Sequence, residues 1–155
     1  MPDKDYSHRD ITDKLGLKPG HVVRVVGKGD KALLARVREK AGRPLRYASG
    51  ISEKRVRDGT PADVVLYWPK TAEEITPTLI EFRAAIVPNG GIWVVTAKKN
   101  CVSASRMGYF NQDRLIPMGM AAGLVDNKIC SLSDTESAMR FVIRKEDRRS
   151  ASTLG

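Results

Sequence analysis

The chain has 155 residues, a net charge of +9, 41% hydrophobic and 29% charged residues, the composition of one folded domain with a single core and not of a disordered polymer. No apolar run approaches the ~20 residues of a membrane span, and MPDKDYSHRD is charged where a signal peptide needs an apolar segment, so a cytoplasmic protein with no membrane association is expected. The charge is uneven, with fifteen Lys and Arg against eight Asp and Glu in residues 1–60 and twelve against ten in the rest, a bias that suits an anionic partner, nucleic acid included, or simply a solvated surface.

Residues 1–14 are polar and aperiodic and read as a flexible leader to a single domain over 15–145. After the Pro19-Gly20 turn, His21 to Val26 (HVVRVV) is the first strand, β-branched and mostly apolar. It runs into Gly27-Lys28-Gly29-Asp30, where Asp30 is a suitable N-cap for a helix from Lys31 to Lys40 with Leu33, Leu34 and Val37 as its apolar stripe. Gly42 ends that helix, Pro44 prevents its return, and Leu45 to Ala48 forms a short second strand. Residues 51–60 are too polar for a core and read as a short helix or loop. Ala62 to Trp68 (ADVVLYW) is the next buried strand, closed by Pro69.

Thr71 with Glu74 three residues on forms a capping box for a helix carrying Ile75, Leu79, Phe82 and Ile86, with Pro77 marking a separate first turn or a kink. Pro88-Asn89-Gly90-Gly91 is expected to stop this helix in a sharp turn, with Gly90 or Gly91 at positive φ, before the fully apolar strand Ile92 to Val95. A helix interrupted near Pro117 is expected between Phe110 and Gly123. Asp126 to Leu132 and Ala138 to Arg144 are two strands whose short connection implies antiparallel pairing. Residues 146–155 read as a flexible tail. The fold class is therefore α/β: a mostly parallel, doubly wound sheet with a C-terminal antiparallel hairpin.

On such a sheet the C-terminal strand ends form the ligand edge, here built from Gly27 to Asp30, Tyr67 to Pro69, Lys98 to Asn100 and the hairpin tip Asp134 to Glu136. Lys98 and Lys99, with Asn100, could receive a phosphate or carboxylate as point charges or merely keep a strand end soluble. Trp68 could stack on a ring or pack over the sheet end. Asp134 and Glu136 could act on a cation or serve the turn alone. Asp126-Asn127-Lys128 should begin a strand at the opposite edge, as a partner contact or as satisfaction of free backbone groups. Cys101 and Cys130 lack CxxC spacing and read as free thiols; no metal cluster and no catalytic triad can be assembled at motif spacing.

The topology, with PNGGIWVV before the last long parallel strand and a closing hairpin, resembles a compact class I S-adenosylmethionine-dependent methyltransferase, a Rossmann-like fold. The segments KLGLKPGHVVRVVG (Lys14 to Gly27), ADVVLYW (Ala62 to Trp68), FRAAIVPNGGIWVVTAKK (Phe82 to Lys99) and AGLVDNKICSLSDTESAMRFVIRK (Ala122 to Lys145) resemble a bacterial family of uncharacterised proteins, domain of unknown function 3052. The methyltransferase resemblance implies S-adenosylmethionine as a possible cofactor, held around Gly27, Gly29 and Asp30. The loop here is only a Gly-x-Gly, which serves equally as a tight strand-to-helix turn, and the first acid after the second strand is Glu53. The reading that results is a non-catalytic module binding an anionic ligand or a protein at the Lys98 edge. A methyltransferase with a reduced loop and a basic nucleic-acid-associated protein are the alternatives.

Overall fold

The computed structural model describes residues 11–48, 61–97, 112–133 and 135–147. Among these residues six strands form one mixed sheet in the order β2-β1-β3-β4-β6-β5, comprising β1 (Val23–Val26), β2 (Arg46–Ala48), β3 (Ala62–Tyr67), β4 (Ile86–Ala97), β5 (Leu124–Ser131) and β6 (Glu136–Ile143). The first four are mutually parallel and β6 runs antiparallel to both β4 and β5, so the mixed α/β architecture with a C-terminal antiparallel hairpin is as the sequence indicates.

Among the described residues four helices cover the sheet: α1 (Ile11–Lys14), α2 (Lys31–Ala41), α3 (Ile75–Arg83) and α4 (Gln112–Ala121). The alternation of side chains along each strand separates two cores. On one face Ile75, Leu79 and Phe82 of α3 and Leu115 of α4 pack on Val65, Tyr67, Ile92, Val94, Met139 and Phe141. On the other, Leu15, Leu34, Val37 and Ala41 pack on Val23, Val25, Leu66, Trp93 and Val95. Both faces of the central strands are thus dry, which is why they read as unbroken apolar runs.

The helix signals of α2 hold in detail. The Asp30 carboxylate accepts from Leu33 N at 2.8 Å, and Gly42 adopts the left-handed conformation at φ 72° with its N–H on Arg38 O.

Several expectations change. Residues 11–14, assigned from sequence to a flexible leader, form α1, with Thr12 buried and Ile11 packed against the second core. The Thr71–Glu74 pair closes a turn before the helix, Glu74 N donating to Thr71 Oγ1 at 3.3 Å, and α3 itself starts at Ile75; Pro77 falls in its first turn, where a missing N–H costs nothing. The helix ends at Arg83, so Ile86 belongs to β4 and not to the helical stripe.

Pro88-Asn89-Gly90-Gly91 is not the helix stop either. It lies inside β4, where five steps along that strand, from Ile86 to Gly91, match only two along β3, from Ala62 to Val64. The chain bulges there, and a bulge tolerates a residue with no ladder N–H. Neither glycine has positive φ; what they supply is proximity, since a Cβ on Gly90 would lie 3.1 Å from Asp63 O and one on Gly91 would fall on the Arg140 guanidinium. Lastly, α4 passes through Pro117 without interruption, pressed so closely on the sheet that a Cβ on Gly119 would meet the Phe141 ring. The expected elements at 51–60 and the tail beyond 147 lie outside the described residues.

Candidate functional site

The strand order reverses between β1 and β3. From β1 the chain winds outward to β2, then returns across to β3 and continues the other way. In an open α/β sheet the crevice at that reversal, beyond the strands' C-terminal ends, is where ligands bind. Gly27, Gly29 and Asp30 follow β1 and Trp68 follows β3. Glu136 begins β6, paired across from Ala97 at the end of β4. Five of the residues expected at the ligand edge are therefore brought together.

Among the described residues, Trp68 lies over the turn that follows β1. Trp68 N donates to Val26 O at 2.8 Å, which extends the β1–β3 ladder by one rung and fixes where its side chain starts. Its carbonyl then lies directly against Gly27, and its six-membered ring covers Gly29: a Cβ on Gly29 would lie 2.7, 2.8 and 3.0 Å from Cη2, Cζ3 and Cζ2. Only 6% of Trp68 is exposed. Gly29 thus makes room for the indole ring and Gly27 for the Trp68 backbone, so both glycines of the Gly-x-Gly answer to Trp68.

The polar end of the indole faces acid. Trp68 Nε1 is buried and, among the described residues, has no acceptor at hydrogen-bond geometry, yet the Glu136 carboxyl is close enough for the indole N–H to favour its charged form. Burial dominates and pushes the Glu136 pKa upward; the indole N–H opposes this, and the Asp30 charge adds to the rise. Asp30 itself is engaged as the α2 cap. Ser133 shapes the hairpin tip, its hydroxyl accepting from Thr135 N at 3.2 Å and Glu136 N at 3.1 Å, and this places Glu136 at the edge. Behind Trp68, Tyr67 donates to Glu74 Oε2 at 2.7 Å and meets Phe82 edge to face at 5.4 Å.

Lys98, Lys99, Asn100 and Asp134 lie outside the described residues, as does Cys101; Cys130 is a buried free thiol. Asp126, Asn127 and Lys128 are exposed on β5, the edge strand, where the register shifts between Asp126 and Lys128. A bulge flanked by opposite charges blunts that edge against pairing with another chain. Among the described residues no three His, Cys, Asp or Glu side chains group to hold a metal, and no helix is long and apolar enough to cross a membrane.

Packing of Trp68 over the sheet end is one of the two readings the sequence offers; what sequence reasoning missed is that its ring lies on Gly29. The available signal was the pair Gly27 and Gly29 together with a tryptophan at the end of the neighbouring strand, residues that the topology makes face one another.

The sheet order, the helices on both faces and the closing hairpin define a methyltransferase-like Rossmann fold. Solved structures bear this out: an S-adenosylmethionine-dependent methyltransferase from Aquifex aeolicus is similar at a TM-score of 0.65, with 15% identity over 86% of this chain and 88% of that one. Magnesium protoporphyrin IX methyltransferase from Synechocystis PCC 6803, with bound S-adenosylmethionine, is similar at 0.59, with 12% identity over 86% and 76%. A TehB-like methyltransferase from Corynebacterium glutamicum follows at 0.55, with 10% identity over 89% and 91%. At such identities the likeness is one of fold. Within that class the chain belongs to the family described as protein of unknown function DUF3052, whose sequence profile matches residues 12–145. No curated protein matches the sequence.

An adenosyl cofactor entering at the strand reversal would need the space that the Trp68 ring takes above Gly29. The residues present do not fit it in this arrangement.

Proposed function

We propose that this chain is a binding module that keeps a methyltransferase-like scaffold without methyl-transfer chemistry, and that it engages an anionic ligand or a macromolecular partner at the C-terminal edge of its sheet. The observation that carries the first part is the Trp68 indole resting on Gly29 within the crevice. A bound cofactor would have to displace a side chain that is almost fully buried, and Asp30 is committed to the α2 cap. Support for the second part is the sequence itself, in which Lys98 and Lys99 directly follow Ala97, the last residue of β4, as two cations able to meet a phosphate or carboxylate.

Calorimetric titration with S-adenosylmethionine and S-adenosylhomocysteine, beside thermal unfolding, tests the reading. The expected result for the natural chain is no heat and no rise in Tm at millimolar ligand. Micromolar binding, which would raise stability by mass action, overturns it. Trp68→Gly supplies the internal comparison: a variant that gains cofactor binding identifies the indole as the obstacle. For the edge, titration with pyrophosphate is expected to give binding that Lys98→Glu/Lys99→Glu abolishes.

A further inference from the structure

The two helical layers differ in charge. On the α1–α2 side, residues 11–20 and 28–43 carry eight Lys and Arg against three Asp and Glu. On the α3–α4 side, residues 69–85 and 112–123 carry three against four. The basic bias of the sequence therefore becomes, in the fold, one basic face and one that is near neutral.

Helix electrostatics account for only half of that arrangement. Arg38 and Lys40 lie in the last turn of α2, where the helix dipole favours cations. Lys31 opens its first turn and Lys28 stands just before the Asp30 cap, both at the end where the dipole disfavours cations, and no acid is present in that turn beyond the cap. Lys31, Ala35 and Arg38 form one exposed stripe, and Ala32, Arg36 and Glu39 form the next. Cations seven residues apart on a helix are separated by about 10 Å along the axis, with only the methyl of an alanine between Lys31 and Arg38, so a rod-shaped partner can approach closely. Beyond the helix end a cleft of about 420 Å³ opens between Arg38 and Arg43, and beside α1 a second of about 310 Å³ is flanked by Lys14 and Lys128. The Lys40–Asp13 pair at 3.1 Å ties α1 to α2, holding these groups on one surface.

We propose that the α1–α2 face binds the phosphate backbone of duplex nucleic acid, independently of base sequence. Charge complementarity selects a polyanion. The choice of a duplex follows from the composition of the face, since residues 11–20 and 28–43 contain no Phe, Trp or Tyr. Binders of single strands stack bases on aromatic side chains, whereas the exposed large hydrophobic residues among the described ones are Ile80, Met120 and Ile129. This inference stands apart from the Trp68 reading, which concerns a different edge of the sheet.

The test is fluorescence anisotropy of the full chain with labelled 20-base-pair DNA and RNA duplexes and the matching single strands, from 50 to 200 mM KCl. Duplex binding is expected to weaken about a hundredfold over that range, as for about four neutralised phosphates. The variant Lys31→Glu/Arg38→Glu, shown folded by circular dichroism, should bind at least tenfold more weakly and lower the salt slope by about two. If it does not fold, Lys31→Gln/Arg38→Gln carries the same comparison. Lys70→Glu, outside the basic face, should bind as the natural chain does. Affinity that is unchanged in the α2 variant, equal or tighter affinity for single strands, or displacement by poly-glutamate as readily as by duplex would each overturn the proposal. The DNA and RNA arms say which duplex the face prefers.

Discussion

The carbonyl oxygen of Trp68 occupies the place where a side chain on Gly27 would begin, and a Cβ there would also lie 2.9 Å from Trp68 Cβ. Gly27 sits at φ 98°, a conformation that other residues adopt only with strain. Both reasons act at one position, and neither can relax through a flexible side chain because the obstacle is backbone. Gly27→Ala is therefore expected to lower unfolding free energy by more than about 2 kcal/mol. Gly20, at φ 89° with open space around it, separates strain from collision: Gly20→Ala should cost about 1 kcal/mol. Urea unfolding of both variants provides the comparison, and equal midpoints would contradict the collision.

Trp93 on β4 donates through Nε1 to Leu15 O at 3.1 Å, a buried bond that joins the middle of the sheet to the segment just after α1. Phenylalanine there would leave the carbonyl of a fully buried residue without its partner. Trp93→Phe should cost about 2 kcal/mol and speed amide exchange at Leu15 and Leu17 more than within α3. Uniform acceleration across both layers would show instead that the bond does not anchor the α1 end.

The parallel strands were legible because burial on both faces leaves unbroken apolar runs such as Val64–Tyr67 and Ile92–Val95, and α2 was legible because Asp30 and Gly42 are local signals. Proline and glycine misled at 88–91 and at Pro117 because their local preference for a turn is compatible with two outcomes. A bulge inside a strand and a close approach of helix to sheet use the same residues as a turn, and only tertiary pairing chooses between them. The topology puts Gly27, Gly29, Asp30, Trp68 and Glu136 at one edge of the sheet, where the structure also has them. Which atom fills which space depends on a side-chain direction that no sequence period encodes, so the Trp68 ring was not anticipated over Gly29.

Tyr67 is fully buried and its hydroxyl donates to Glu74. Burial pushes its phenol far above the ordinary value; a Thr78 contact opposes this and the Glu74 charge adds to it. Of the four tyrosines, Tyr67 should ionise only as the protein unfolds in base. A spectrophotometric titration of the natural chain against Tyr67→Phe isolates this residue, and a difference spectrum that titrates near the ordinary phenol range while the fold persists would refute it. The substitution itself should cost about 1 kcal/mol by freeing the 71–74 turn.

Glu136 gives the fold a pH dependence whose sign follows from its raised pKa. Between the ordinary glutamate value and the raised one, the native chain retains a proton that the unfolded chain has released, so stability falls as pH rises through that window and is constant above it. Glu136→Gln keeps the carboxamide in place of the protonated acid and removes the effect. The difference in urea midpoint, variant minus natural chain, should therefore be small below the window, grow across it and then level off. The neighbours predict how the window moves. Trp68→Phe deletes the N–H that holds the pKa down and should shift the rise to higher pH, whereas Asp30→Asn deletes a repelling charge and should shift it lower. Carboxyl carbon chemical shifts of Glu136 across the same pH range report the titration directly. A Glu136 that titrates at the ordinary value in all three backgrounds would mean that the indole, Asp30 and Glu136 do not act on one another, and with that the picture of Trp68 spanning the crevice from Gly29 to β6 would fail.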